Sequence, residues 1–253
     1  MTAPIPNERI ITLGAQPGAA PRLSVLTPFH RHDPSPLLKR LARAPAGVEF
    51  VLLDDGSGSA ALLAAAITAA ERLQAPARIV VWRRNRGRAA ARNRLIAEAR
   101  GEHVLFLDAD MLPDADDFLA RWLEIVRTRR PLAAFGGLSL RHAARTPETA
   151  LHYDLFARSD CRPAAARARA PAQFSASSNL LVRRDVLADT PFDDAYVGWG
   201  FEDIDWALTA AARRAQILHV DNPATHAGLD DVATLLRKCA QAGPNFARLA
   251  RKH

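Results

Sequence analysis

The segment His103–Asp110, HVLFLDAD, joins a strand signal directly to an acidic pair. Val104, Leu105, Phe106 and Leu107 form a short continuous apolar run, the pattern of a strand buried on both faces in a parallel sheet. The run stops at Asp108-Ala109-Asp110, and Met111-Leu112-Pro113 turns the chain away. Carboxylates at i and i+2 at the carboxyl end of such a strand reach the crevice where open α/β sheets bind ligands. Left alone they repel, and burying either is costly. A divalent cation with oxygen ligands resolves the conflict. The plainer alternative is a polar strand end before an Asp-capped helix, because Asp114, Asp116 and Asp117 continue the acidic run.

The residues before this segment repeat one unit. Leu23–Leu26 reads as a strand ending at Thr27-Pro28, and Ser35-Pro36 starts a helix that Pro45 and Gly47 end. Val48–Leu53 is a second strand, stopping at Asp54-Asp55-Gly56-Ser57, and an alanine-rich helix then runs to about Gln74. Ile79–Trp82 is a third, followed by a basic turn and a helix closed by Gly101. Strands alternating with helices of this length predict βαβ units around a mostly parallel sheet, an α/β domain. Downstream the spacing predicts a helix over 114–129, strands at 132–136, 179–182 and 216–220, and a turn into a helix over 198–214. A terminal helix over about 230–240 is broken at Gly243-Pro244, before a basic tail. Residues 161–173, with three arginines and no apolar period, read as a mobile surface loop, or as a lid over an anionic ligand. Residues 1–21, rich in Pro, Gly and Ala, read as a loose lead-in; 22–228 form the domain, and 229–253 a helix and tail packed on it.

The 253 residues are 49% hydrophobic, enough for a sizeable core, which excludes a disordered chain. No apolar run reaches the ~20 residues that span a bilayer, and Glu8 and Arg9 interrupt the start, so a cytoplasmic chain is expected. Cys161 and Cys239 make neither a metal spacing nor a disulfide framework. Net charge is +7, and Lys39, Lys238 and Lys252 are the only lysines among 34 basic residues. Arginine suits phosphate through its planar fork. Arg88 and Arg92 share a helix face near its start, where a pyrophosphate binds well.

In combination and order, Leu23–Arg31 (LSVLTPFHR), Val51–Ser57 (VLLDDGS), Asn85–Asn93 (NRGRAAARN), Val104–Asp110 (VLFLDAD), Asn179–Arg184 and Gly198–Asp205 (GWGFEDID) resemble the family 2 glycosyltransferases of the GT-A fold. The last segment is also similar to the carboxyl-terminal motif of β-galactosyltransferases. The resemblance covers roughly residues 22–228. It implies a single Rossmann-like domain that moves a sugar from a nucleotide-diphosphate donor, usually UDP-linked, using Mn²⁺ or Mg²⁺. Thr27, Pro28 and Asp55 would line the donor's base pocket, Arg88 and Arg92 would approach its diphosphate, and Asp108 would lie near the ribose and metal. Asp110 and His226 would ligate the metal. Glu202 and Asp203 would handle the acceptor with Asp203 as base, beside Trp199 and Asn179. His219, inside a strand, is the rival of His226 and reads as structural; Trp122 and Trp206 read as core.

The chemistry of the residues agrees with that implication. A diphosphate leaving group needs its charge neutralised, and an attacking hydroxyl needs a base on the opposite side. The acceptor would be a glycan or a lipid-linked glycan, with peripheral contact to a membrane at most. A nucleotidyltransferase would leave GWGFED without a use. A nucleic-acid-binding protein is disfavoured by scattered arginines and the lack of an aromatic-interleaved basic patch. Oligomeric state is not legible.

Overall fold

The structure, a computed structural model, describes residues 8–14 and 19–253. In chain order its strands are β1 (Glu8–Leu13), β2 (Leu23–Phe29), β3 (Val48–Asp54), β4 (Ala77–Trp82), β5 (His103–Leu107), β6 (Met111–Pro113), β7 (Ala133–Phe135), β8 (Leu138–Ser139), β9 (Asn179–Arg183), β10 (Ile217–His219) and β11 (Ala224–His226). Its helices are α1 (Ser35–Arg40), α2 (Ala60–Ala70), α3 (Arg88–Glu98), α4 (Phe118–Arg129), α5 (Ala150–Ser159), α6 (Ala164–Arg167), α7 (Arg184–Asp189), α8 (Glu202–Ala212) and α9 (Val232–Lys252).

An eight-stranded sheet in the order β1-β4-β3-β2-β5-β9-β7-β10 forms the centre, and β6-β11-β8 form a small second sheet. Strands β4, β3, β2 and β5 are parallel neighbours, as the βαβ pattern requires. Every residue of β3 and β5 is buried, which explains their unbroken apolar runs. The register sets Phe29 beside Asp54, and Leu26 beside Phe106. The carboxyl ends of β2, β3 and β5 therefore lie along one edge, and the acidic strand ends come together there. Two strands run the other way: β1 against β4, and β9 between β5 and β7. Trp122 and Trp206 are both fully buried, as expected.

The amino ends of the same strands are tied by a buried polar cluster. Ser24 donates to Glu49 at 2.6 Å, Arg78 donates to Glu49 at 3.0 Å and to the Glu98 carbonyl at 2.8 Å, and the amide of Arg100 donates to Glu49 at 2.7 Å.

Three sequence expectations are corrected. Residues 8–13 are not a loose lead-in but an edge strand. Ile11 and Leu13 pack on the core, and Glu8 accepts from Trp82 Nε1 at 2.8 Å and from Arg94 at 2.6 Å. Most of the Pro- and Gly-rich remainder of 1–21 lies outside the described residues. The break expected at Gly243-Pro244 does not occur, because α9 runs through it to Lys252. Proline forfeits one backbone bond, and tertiary contacts compensate: Asn245 donates to three carbonyls (Val197, Trp199, Gly200), Arg248 pairs with Asp193, and Lys252 pairs with Asp205. The expected basic tail is thus the last turns of a docked helix. Residues 161–173 include helix α6 and the buried Arg167, which donates to the Val220 carbonyl at 2.7 Å and to His219 Nδ1 at 3.2 Å. A periodicity search misses this segment because its anchor is a cation paired with backbone, not an apolar stripe.

Candidate active site

The turn after β3 is fastened to the basic turn before α3. Asp55 accepts from the amides of Arg86 (2.7 Å) and Gly87 (3.0 Å) and from Asn85 Nδ2 (3.0 Å). Gly56 has φ +71°, and a Cβ there would collide with the backbone of Arg84 and Asn85, so only glycine lets the two turns close. Burial pushes the Asp55 carboxyl above its ordinary range, against the Arg86 and Gly87 amides that favour its charged form. These turns, the β2 end and the start of α3 wall a crevice of about 530 Å³, lined among others by Pro28, Asp55, Arg88, Asp108, Asp110 and Tyr196. Thr27, expected in the base pocket, is corrected: it is 1% exposed, lies under this surface and is absent from the crevice lining.

Across the crevice floor lies a network of two cations and two carboxylates. Arg88 donates to Glu202 at 2.7 Å and to Asp108 at 3.3 Å; Arg92 donates to the same two, at 2.9 and 3.1 Å. The i, i+4 spacing on α3 aims both guanidinium groups the same way. Their exposures differ sharply: the Arg92 side chain is 1% exposed and that of Arg88 41%. Burial alone would raise Glu202, but Arg88 and then Arg92 outweigh it and hold its pKa at about 2.

Asp110 faces His226, which β11 delivers opposite β6: Asp110 Oδ2 and His226 Nε2 are 3.3 Å apart. Burial would raise Asp110, yet the bond to His226 outweighs it and lowers its pKa to about 2. The imidazole stacks on Phe156 of α5 at 4.9 Å and lies 5.6 Å from His152. Backbone seals the pair, since the Ala227 amide donates to the Asp110 carbonyl at 2.9 Å and a Cβ at Gly228 would strike the Asp110 carboxylate. A carboxylate and an imidazole, with substrate oxygens and water completing the set, fit Mn²⁺ or Mg²⁺, and the imidazole favours Mn²⁺. Among the described residues no group of three or more His, Cys, Asp or Glu side chains is gathered as a metal cluster. Asp108 is held by arginines, which leaves Asp110 and His226 as the side chains here that could hold such an ion.

The turn of residues 198–201 leads into α8. Phe201, its N-cap, has φ +72°, a left-handed conformation that costs a large side chain energy and recurs at functional sites. It places Glu202 and Asp203 in the first turn of α8. Glu202 points to the arginines. Asp203 accepts from the Ser177 amide at 3.3 Å and lines a second cavity of about 250 Å³ with Trp199, Phe201, Glu202 and Arg88. Burial, and then the neighbouring Glu202 carboxylate, push Asp203 above the ordinary aspartate range, with Arg92 and Arg88 opposing. Two adjacent carboxyls are thus driven apart, the arrangement that separates acid–base roles. Arg88 lines both cavities.

The structure therefore brings together Pro28, Asp55, Arg88, Arg92, Asp108, Asp110 and His226 on one side, and Trp199, Glu202 and Asp203 on the other. Asn179 is corrected. It is fully buried, and its Nδ2 donates to the carbonyls of Gly137 (2.8 Å) and Asn222 (3.0 Å), so it ties loops beneath the site and has no surface for an acceptor. His219, bonded to Arg167 and the Pro171 carbonyl, is structural as expected. Sequence reading did not find Tyr196, Phe156, His152 or Gly228. The spacing of His152 and Phe156 at i, i+4 was the one available signal.

The architecture is that of the GT-A class of α/β folds. The family model described as Glycosyl transferase family 2 matches residues 24–189, and the chain belongs to that family. A mannosyltransferase from Pyrobaculum calidifontis, solved with GDP-Man and Mn²⁺, superposes with a TM-score of 0.62 at 20% identity, covering 93% of this chain and 67% of that one. Residues 1–349 of S. aureus TarS, solved with UDP-GlcNAc, superpose with a TM-score of 0.62 at 18% identity, covering 84% of this chain and 61% of that one. The chain thus spans about two thirds or less of the length of these structures, which share its fold. No curated protein matches the sequence.

Proposed function

We propose that the chain transfers a sugar from a nucleotide-diphosphate donor, UDP-linked by preference, to a hydroxyl of a glycan or lipid-linked acceptor, inverting the anomeric centre. The observation that carries this reading is the pair of cavities meeting at Arg88: one has the cationic helix start and the Asp110–His226 pair, the other an aromatic wall and a carboxyl of raised pKa. The donor occupies the first. Pro28 and the turn that Asp55 secures form the base pocket, Asp108 borders the ribose, and Arg88 meets the diphosphate. Asp110 and His226 would hold the divalent cation, which would neutralise charge on the leaving diphosphate. The acceptor ring rests on Trp199 in the second cavity. Asp203 takes the proton of its hydroxyl as the oxygen bonds to the anomeric carbon, and the bond to the diphosphate breaks with the electron pair leaving on the nucleotide. One displacement with base and leaving group on opposite faces inverts the centre. Glu202, ionised and held by arginine, positions Arg88 and Arg92.

The neighbours' ligands, GDP-Man and UDP-GlcNAc, support a nucleotide sugar without choosing the base. A thermal-shift screen of nucleotide sugars with and without Mn²⁺ tests the reading. A true donor at ~100 times its Kd adds roughly 2.7 kcal/mol of stability, and no response to any nucleotide sugar would refute it. The two arginines should separate. Arg88→Ala is expected to weaken UDP far more than uridine, because only UDP carries the charge it meets. Arg92→Ala leaves Glu202 and Asp108 under-paired, and should cost about 3–5 kcal/mol in denaturant unfolding. Equal losses of UDP and uridine in Arg88→Ala would place that side chain away from the diphosphate.

A further inference from the structure

Helix α9 presents its apolar residues on two faces. Ala242, Asn245 and Leu249 are buried against the domain. The rest of its surface should then be polar. Instead Val232, Leu236, Cys239, Gly243, Phe246 and Ala250 follow one another at intervals of three and four residues, which places them on one stripe of the helix. All six are exposed, Leu236 by 63% and Phe246 by 56%. Val197, 77% exposed, is held near this helix by Asn245, which donates to its carbonyl at 3.1 Å. The neighbouring helix α5 packs against α9 and exposes Leu151 and Leu155.

The charge on α9 says what covers the stripe. The helix has five cationic residues and no acidic one. Lys238, Arg248 and Lys252 pair with Asp230, Asp193 and Asp205. Arg237 and Arg251 are exposed and, among the described residues, form no salt bridge, although Arg237 donates to Thr234 Oγ1 at 3.3 Å and its charge acts on the nearby Asp231; their spacing puts both on one side of the helix, away from the axis of the stripe. A helix with an exposed apolar stripe and arginines on its polar side matches a bilayer interface bearing anionic headgroups: apolar side chains enter the acyl boundary while arginines reach phosphate. A second copy fits worse, because α9 has cationic residues and no acidic one, so a two-fold pairing of the helix with itself offers its arginines no opposite charge.

We infer that the outer face of α9 docks the protein on an anionic lipid surface, with Leu236 and Phe246 inserted and Arg237 and Arg251 at the headgroups. Trp199 and Phe201 lie next to this helix, Lys238 being 6.0 Å from the Trp199 ring and Phe246 5.4 Å from Phe201. The docked face therefore borders the second cavity. This inference stands on α9 alone and is independent of the reaction proposed above.

Flotation of the full chain with vesicles tests it, using phosphatidylcholine alone and phosphatidylcholine with about one third phosphatidylglycerol. Binding is expected to the anionic vesicles, weakening as salt is raised. The double variant L236S/F246S should cut the partition coefficient by at least about tenfold, and R237Q/R251Q by about fivefold per charge removed. Leu236, Arg237 and Arg251 are exposed and Phe246 packs on Phe201, so a thermal melt of each variant beside wild type checks that the fold is kept. No binding to anionic vesicles, equal binding to both vesicle types, or unchanged binding of L236S/F246S would overturn the proposal. So would a concentration-dependent dimer in light scattering that L236S/F246S converts to monomer, since a second copy would then cover the stripe.

Discussion

Asp203→Asn should lower kcat by about 10²–10⁴-fold, the usual contribution of a positioned base, while leaving nucleotide and metal binding nearly unchanged. Asparagine keeps the size of the side chain and can still accept from the Ser177 amide, as Asp203 does at 3.3 Å. What it loses is basicity. A residue that merely capped α8 would tolerate the change, because Asn caps about as well as Asp. The pH profile gives a second readout. Burial and Glu202 raise the Asp203 pKa, and a base works only when ionised, so wild-type kcat should fall with pH along a limb lying above the ordinary aspartate value. That limb should be missing from the residual activity of Asp203→Asn. The product's anomeric configuration, assigned by NMR, completes the test. Near-normal turnover of the variant, or a product that retains the donor's configuration, would remove Asp203 from the role of base.

Removing the metal site should have the next largest effect. In calorimetry with UDP and Mn²⁺, Asp110→Ala is expected to bind about 100-fold more weakly than wild type, ~2.8 kcal/mol. Wild type in EDTA should fall to the same level. His226→Ala should lose less, about tenfold, since the carboxylate supplies the charge. Asp110 is already ionised at any working pH, its pKa being held at about 2, so it can ligate without first losing a proton. Unchanged UDP affinity in EDTA would show that the Asp110–His226 pair serves only to fix β11 against the end of β5.

The first half of the chain was legible because its signals are local. Each buried strand is an apolar run with a polar stop, each helix between them has an apolar face, and a parallel sheet gathers the stops at one edge. Asp55, Arg88, Asp108 and Asp110 were found through that rule. What was missed depends on distant partners. Nothing near Asn179 in sequence says that its amide will be spent on Gly137 and Asn222. Arg92 reads like Arg88 in a helical pattern, and its burial rests on partners outside its own helix, Asp108 and, over a hundred residues away, Glu202. The strand at 8–13 is four apolar or β-branched residues whose docking rests on Trp82 and Arg94. Proline at 244 is a sound stop signal in isolation, and it is overridden by contacts made on both sides of it.

The buried cluster of Ser24, Glu49 and Arg78 has an evolutionary consequence. It fastens the amino ends of β2, β3 and β4, whereas the residues facing the crevice stand at the opposite ends of those strands. Mutations that retune ligand preference around Pro28 or Asn85 therefore fall away from this anchor. Selection can explore new substrates at one rim without drawing down the folding reserve held at the other. A scaffold divided in this way can diverge far in sequence while its backbone stays recognisable.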